Sequence, residues 1–182
     1  MINMKDEKNL ILVDEQDKEC GKMGKLQVHK LGLLHRAFSI FIFNSKGQLL
    51  LQQRADEKYH SGGLWTNTCC SHPEFGEELN DAVSKRLFEE MGLVSKTEFA
   101  FSFIYNAAFD NGLIEHEFDH VFIGISDELP KPDRSEVQNW KYMDIPAIQK
   151  DIIENPAIYT VWFKMCFADV VSNEKFKALS NS

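Results

Sequence analysis

Trp65–Thr66–Asn67–Thr68–Cys69–Cys70–Ser71–His72–Pro73 crowds thiols, hydroxyls, an amide and an imidazole into one short stretch. Its flanks say what kind of fold carries it. The breakers Ser61, Gly62 and Gly63 precede it. After it, Val83, Leu87 and Met91 recur every fourth residue from Asn80 to Met91, and Gly92 is a natural stop, so a helix is predicted there. Upstream, Phe38–Phe43 and Gln48–Gln53 are apolar runs joined by the turn signal Asn44–Gly47, which reads as a hairpin. Further strands are predicted at Leu10–Val13, Phe99–Tyr105, Glu115–Ile125 and Trp140–Met143, with a turn at Asn111–Gly112. Asp17–Lys25 is charged, carries Gly21 and Gly24, and reads as turn and loop. From Asn155–Pro156 to about Val171 the chain is apolar with Pro at a helical first position, a second helix. Strands in mixed order with two helices predict one α+β domain over residues 10–172. A flexible N-terminus (1–9) and a C-terminal tail (173–182) flank it.

The 182 residues suit a single core. Lys and Arg number 20 against 28 Asp and Glu, a formal charge of −8, which argues against non-specific nucleic-acid binding. An anionic substrate would need local cations or metal ions to overcome that field. The spacing of Cys20, Cys69, Cys70 and Cys166 does not form a disulfide framework. Neither a signal peptide nor an apolar run of about 18 residues is visible. A cytoplasmic protein is expected, with no membrane partner, as a monomer or weak dimer.

Glu115 and Glu117 stand two apart in a predicted strand, so both carboxylates leave one face. With His29, His35 and His72 they compose a donor set for an octahedral divalent ion such as Mn²⁺, Mg²⁺ or Zn²⁺. The same residues also fit ordinary histidines and a solvated strand face. His60, His116 and His120 carry no signal, and the last two point away from the Glu115/Glu117 face. Arg86 and Glu90 share a helix face and fit either a phosphate-and-metal pair or a surface ion pair. Arg54 and Lys58 fit an anion clamp or a solvated charge run. Cys70 can be an acid–base group or a buried inert thiol, and Trp162 a cation-stabilising wall or core.

The order of these signals resembles the type 1 isopentenyl-diphosphate Δ-isomerase family. Leu34–Phe38, Gln53–Lys58, the Trp65–Pro73 stretch and Glu115–His116–Glu117 carry the resemblance, which runs from about Leu10 to Trp162. It implies a Nudix-type α/β/α sandwich with a mixed sheet, and interconversion of isopentenyl and dimethylallyl diphosphates. It implies metal ligation by His29, His35, His72, Glu115 and Glu117, and a Mg²⁺ held with the diphosphate at Glu90. Cys70 and Glu117, with Tyr105, match the catalytic positions. Lys25, Arg54, Lys58 and Arg86 match diphosphate-binding cations, and Trp162 the aromatic facing the allyl group.

A Nudix hydrolase ends its helix in Arg-Glu-x-x-Glu-Glu-x-Gly. Here Lys85–Gly92 puts Arg86 at the first Glu, and Ser71 replaces the opening Gly. A cation in place of a hydrolytic carboxylate favours holding a diphosphate over cleaving it. A Nudix-type diphosphohydrolase and a non-catalytic metal-binding protein are the alternatives to the isomerase.

Overall fold

The computed structural model describes residues 8–58 and 60–180. Residues 1–7, most of the expected flexible N-terminus, lie outside it.

Two neighbouring strands organise the molecule. The first, β3 (His35–Phe43), runs parallel to β8 (Ile114–Ile125), in register from His35 opposite Glu117 to Phe43 opposite Ile125. The other edge of β3 is shared in succession. β1 (Asn9–Val13) meets it at His35, β6 (Cys69–Ser71) at Phe38–Ile40, and β4 (Leu49–Arg54) at Phe43. β4 continues away to pair with β9 (Val137–Met143) and the short β5 (Trp65–Thr66), while β7 (Thr97–Ala108) lies antiparallel on β8. The hairpin turn at Asn44–Gly47 forms as expected, closed by Asn44 Oδ1 accepting from the Lys46 and Gln48 amides. The strands on either side pair only at Phe43 and Leu49 and then diverge. The sheet splits there, and β6 enters the gap.

Helices cover both faces, so β3 reads as a nearly unbroken apolar run rather than an alternating one. Phe38, Ile40, Ile42, Leu50 and Phe122 pack under α2 (Leu79–Met91), which buries Val83, Leu87 and Met91. Phe41, Phe43, Leu49, Leu51, Val121 and Ile123 form the other core with α4 (Val161–Ser172) through Trp162, Phe163 and Phe167. The α/β/α sandwich of a single α+β domain is thus present.

Several elements differ from expectation. The predicted loop at Asp17–Lys25 holds β2 (Glu19–Gly24) and the start of α1 (Lys25–Leu31). The polar edge strand β2 has no hydrophobic period to reveal it; it exists because β1 pairs with it. Among the described residues there are five α-helices rather than two. α3 (Ile145–Glu154), with Pro146 near its start, precedes the expected second helix. That second helix is broken: Pro156–Ile158 makes one 3-10 turn, and α4 starts only at Val161. Tyr159 and Thr160 between them are extended because Thr160 binds Trp65 O through its amide and Thr66 Oγ1 through its hydroxyl at 2.8 Å. The segment read as a C-terminal tail carries α5 (Glu174–Ser180), whose Phe176 ring lies 4.6 Å from that of Phe43. Among the described residues no helix is long and apolar enough to cross a membrane, and the four cysteines are all free thiols.

Gly92 ends α2 with φ of 63°, its amide donating to Phe88 O. A Cβ there would lie 2.6 Å from the Lys131 carbonyl. The left-handed conformation alone costs a side chain roughly 1–2 kcal/mol. Gly92→Ala is therefore expected to lower unfolding free energy by about 2 kcal/mol or more, read from the urea midpoint.

Candidate active site

Strand parity puts the polar groups where they converge. On the α4-facing side, β8 presents Glu115, Glu117 and Asp119 before Val121 and Ile123, and β3 presents His35 and Ser39 before Phe41 and Phe43. One end of the two central strands is therefore polar and the other is core. α1 returns over β8 and carries the fully buried His29 to the same place, and His72 arrives directly after β6.

One donor atom each from His29, His35, His72, Glu115 and Glu117 lies within 4.8 Å of all the others. The tautomers are set from behind. His29 Nδ1 donates to Lys25 O at 2.6 Å and His35 Nδ1 to Leu33 O at 2.9 Å, which turns each Nε2 inward. His29 Nε2 meets Glu115 Oε2 at 3.1 Å, and His72 Nε2 meets Glu117 Oε1 at 2.7 Å. His35 Nε2 is buried without a hydrogen bond, 3.7 Å from Glu117 Oε1 and 3.9 Å from Glu115 Oε2. An inward-facing ring nitrogen beside two carboxylates fits a cation, and the three-imidazole, two-carboxylate set fits a divalent metal.

The charges fit as well. Burial opposes ionisation of Glu115, but the hydrogen bonds from His29 and His60 outweigh it and hold its carboxyl well below the usual range. Glu117 is lowered too: burial and the Glu115 charge oppose ionisation, and His35 and His72 overcome them. Burial pushes His72 well below its ordinary value, so it is neutral. His29 is the exception: burial opposes protonation, yet Glu115 raises its pKa.

Beside this cluster, Tyr105 donates to Glu117 Oε2 at 2.6 Å, so Glu117 is held on both oxygens. Burial and the Glu117 charge push the Tyr105 hydroxyl well up. The Cys70 thiol donates to Asn67 Oδ1 at 3.0 Å and accepts from Trp162 Nε1 at 3.1 Å. Burial and the proximity of Asp119 push its pKa up to about 12, so Cys70 carries its proton at neutral pH. Asp119 itself is raised well above the usual range, first by burial and then by Glu117, and accepts from Ser39 Oγ at 2.7 Å.

The cavity also gathers cations. Lys25, Arg54, Lys58 and Arg86 line the same space as Cys70, His72, Tyr105, Glu117 and Trp162, a cavity of about 170 Å³. Arg86 pairs with Glu90, as helix spacing predicts, and lies 3.6 Å from Glu136, which also pairs with Lys58. Glu90 is 4 % exposed, so this is no solvated surface pair. Arg54 lies over the Trp162 ring at 5.3 Å. The Nε atoms of both arginines are buried without a hydrogen bond.

The structure thus brings every residue singled out in the sequence into or against one cavity. It adds three that sequence reasoning missed. Asp119 continues the odd-numbered parity of Glu115 and Glu117 and was legible. Glu136 precedes β9 in a loop and had no local signal. His60, taken as bland, has its Nε2 2.6 Å from Glu115 Oε1. His116 and His120 do face away, toward Gly32 O and toward Asp17 with Ala37 O.

The NUDIX domain model matches residues 33–163. A crystal structure from Deinococcus radiodurans superposes with a TM-score of 0.71 at 18 % identity, over 86 % of this chain and 96 % of that one. A MutT protein from Methanosarcina mazei gives 0.61 at 17 %, over 82 % and 96 %. These establish a Nudix fold. Isopentenyl-diphosphate Delta-isomerase 2 of Aromatoleum aromaticum is 49 % identical over 91 % of this chain and 88 % of its own. The isopentenyl-diphosphate Delta-isomerase of Pectobacterium atrosepticum is 50 % identical over 88 % and 90 %. The chain belongs to the isopentenyl-diphosphate Delta-isomerase family of the Nudix superfamily.

Metal binding must displace protons from the imidazoles. The carboxylates and His72 are already in the binding form near neutrality, whereas His29, raised above its ordinary value of about 6.5, is not fully so. Affinity for Mn²⁺ or Zn²⁺ should therefore rise with pH through and above about 6.5, with protons released. Calorimetry in buffers of different ionisation enthalpy measures that release.

Proposed function

We propose that the chain interconverts isopentenyl and dimethylallyl diphosphates, as its relatives' names state for them. The observation that carries this reading is the meeting, in one cavity, of a protonated, half-buried thiol, a buried carboxylate and four cationic side chains.

The alkene of isopentenyl diphosphate has no activating carbonyl. A proton adds to its terminal carbon, leaving a tertiary carbocation, and a proton then leaves C2 to give the trisubstituted alkene. One acid and one base must flank the carbon skeleton. Cys70 and Glu117 supply one of each: the thiol holds a proton and the carboxylate does not. Tyr105, bonded to Glu117, aligns that carboxylate and is the neighbouring O–H through which a proton reaches it. Trp162 presents an indole face worth about 2 kcal/mol or more to a desolvated cation, and fixes the thiol through its N–H. Water must be kept from the carbocation, which it would trap.

His29, His35, His72, Glu115 and Glu117 would hold one divalent ion, Mn²⁺, Mg²⁺ or Zn²⁺, and Glu90 a Mg²⁺ that accompanies the diphosphate. Such ions supply positive charge, near Glu117 in one case and on the phosphates in the other. Lys25, Arg54, Lys58 and Arg86, which line the cavity, grip the diphosphate. Binding energy at the diphosphate end orients the reacting carbons. The hydrolase alternative lacks the carboxylate that Arg86 replaces.

Proton NMR in D₂O with Mg²⁺ and isopentenyl diphosphate should show dimethylallyl diphosphate with deuterium in the methyl and C2 positions. Release of inorganic phosphate would favour the hydrolase instead. Cys70→Ser and Glu117→Gln should each lower kcat by about 100-fold or more with the fold retained by circular dichroism. Wild-type turnover in either would remove that residue from the chemistry.

Arg86→Ala tests the clamp separately. It should raise KM by about tenfold or more while kcat falls less, because diphosphate binding is largely uniform between ground and transition states. An unchanged KM would remove Arg86 from the clamp.

A further inference from the structure

His60 is outside the five-residue ligand set, yet it is 8 % exposed and built into the site from three sides. Its Nε2 lies 2.6 Å from Glu115 Oε1, and its Nδ1 lies 3.3 Å from Ser61 Oγ. Its ring stacks on Phe109 at 4.8 Å and meets Trp162 edge-on at 6.0 Å. Its carbonyl accepts from Arg54 Nη2 at 3.3 Å. The loop bends sharply to put it there. Ser61 has φ of 52°, rare for a side chain other than glycine, and a Cβ on Gly62 would lie 2.5 Å from Asp56 O.

Glu115 divides its oxygens between two tasks. Oε2 faces the ligand cluster, 3.1 Å from His29 Nε2 and 3.9 Å from His35 Nε2. Oε1 faces away from it, to His60. The ionised Glu115 oxygen can only accept, so His60 Nε2 carries a ring hydrogen and donates to Oε1.

We propose that His60 is a positioning residue of the metal centre: by holding Glu115 Oε1, it fixes the Glu115 carboxylate with Oε2 turned toward the ligand cluster. The inference rests on the metal-centre reading above. Without the donor, the Glu115 carboxylate can rotate and present both oxygens or neither. Outer partners of this kind change metal affinity by about 10–100-fold.

The test titrates metal-depleted wild-type protein and the variants His60→Ala, His60→Gln and His60→Phe with Mn²⁺ and, separately, Zn²⁺ in competition with a chelator. Melting curves of the metal-free forms show that each is folded. Gln keeps an N–H donor at the same reach, and Phe keeps the ring on Phe109 without a donor. Affinity should fall by about 10–100-fold in the Ala and Phe variants and stay within about threefold of wild type in the Gln variant. Unchanged affinity in His60→Ala, or recovery by Phe and not by Gln, overturns the proposal. A Gln variant as weak as Ala overturns it as well. If wild type binds neither ion, the metal-centre reading itself fails, and the inference with it. Tight binding by wild type with no variant effect removes only the role of His60.

Discussion

The parallel, in-register pairing of β3 with β8 is the constraint on which the rest of the molecule depends. It sets His35 beside Glu117 and Phe43 beside Ile125. Because side chains alternate across a strand, that register also decides which groups meet above the sheet. A slip by one residue would turn Glu115, Glu117 and Asp119 toward α2 and bring Phe118, His120 and Phe122 to the cavity. The apolar halves of the same strands are locked between two helical layers, so the core that specifies the register also assembles the site.

The second organising feature is the split along the far edge of β3. β1, β6 and β4 each take a short length of it, and none could close it alone. β6 brings Cys70 and then His72 into the gap, and the divergence of β4 leaves Arg54 lining the same cavity. Lys25, Arg54, Lys58 and Arg86 line that cavity together with Glu90, Glu115, Glu117 and Glu136. This local concentration of cations lets a chain with a net charge of −8 receive an anion. Burial and the nearby Asp119 keep Cys70 in its thiol form.

Much of this was legible in the residues. The helix under Val83, Leu87 and Met91, the Asn44–Gly47 turn and the shared face of Glu115 and Glu117 all follow from short-range periodicity, which backbone geometry enforces. The Trp65–Pro73 stretch and the Arg86 substitution pointed to a diphosphate-handling relative of the Nudix hydrolases. Other features had no local signature. β2 is a polar edge strand that exists through its partner. The break before α4 comes from Thr160 being tied to Trp65 and Thr66 across the fold.

By itself, the sequence determined the element types wherever apolar periodicity was strong, the side chains here proposed to hold a metal and to act as acid and base, and the family. Only the tertiary structure decided which of these groups face one another. It paired Tyr105 with Glu117, set Trp162 against Cys70, paired Glu136 with Lys58, and turned His60, which carried no sequence signal, onto Glu115. The physical reason is range. Periodicity and turn chemistry act over a few residues, whereas His60 and Glu115 are brought together by a loop and a strand far apart in the chain. Their contact exists only once the core has set the distance between them.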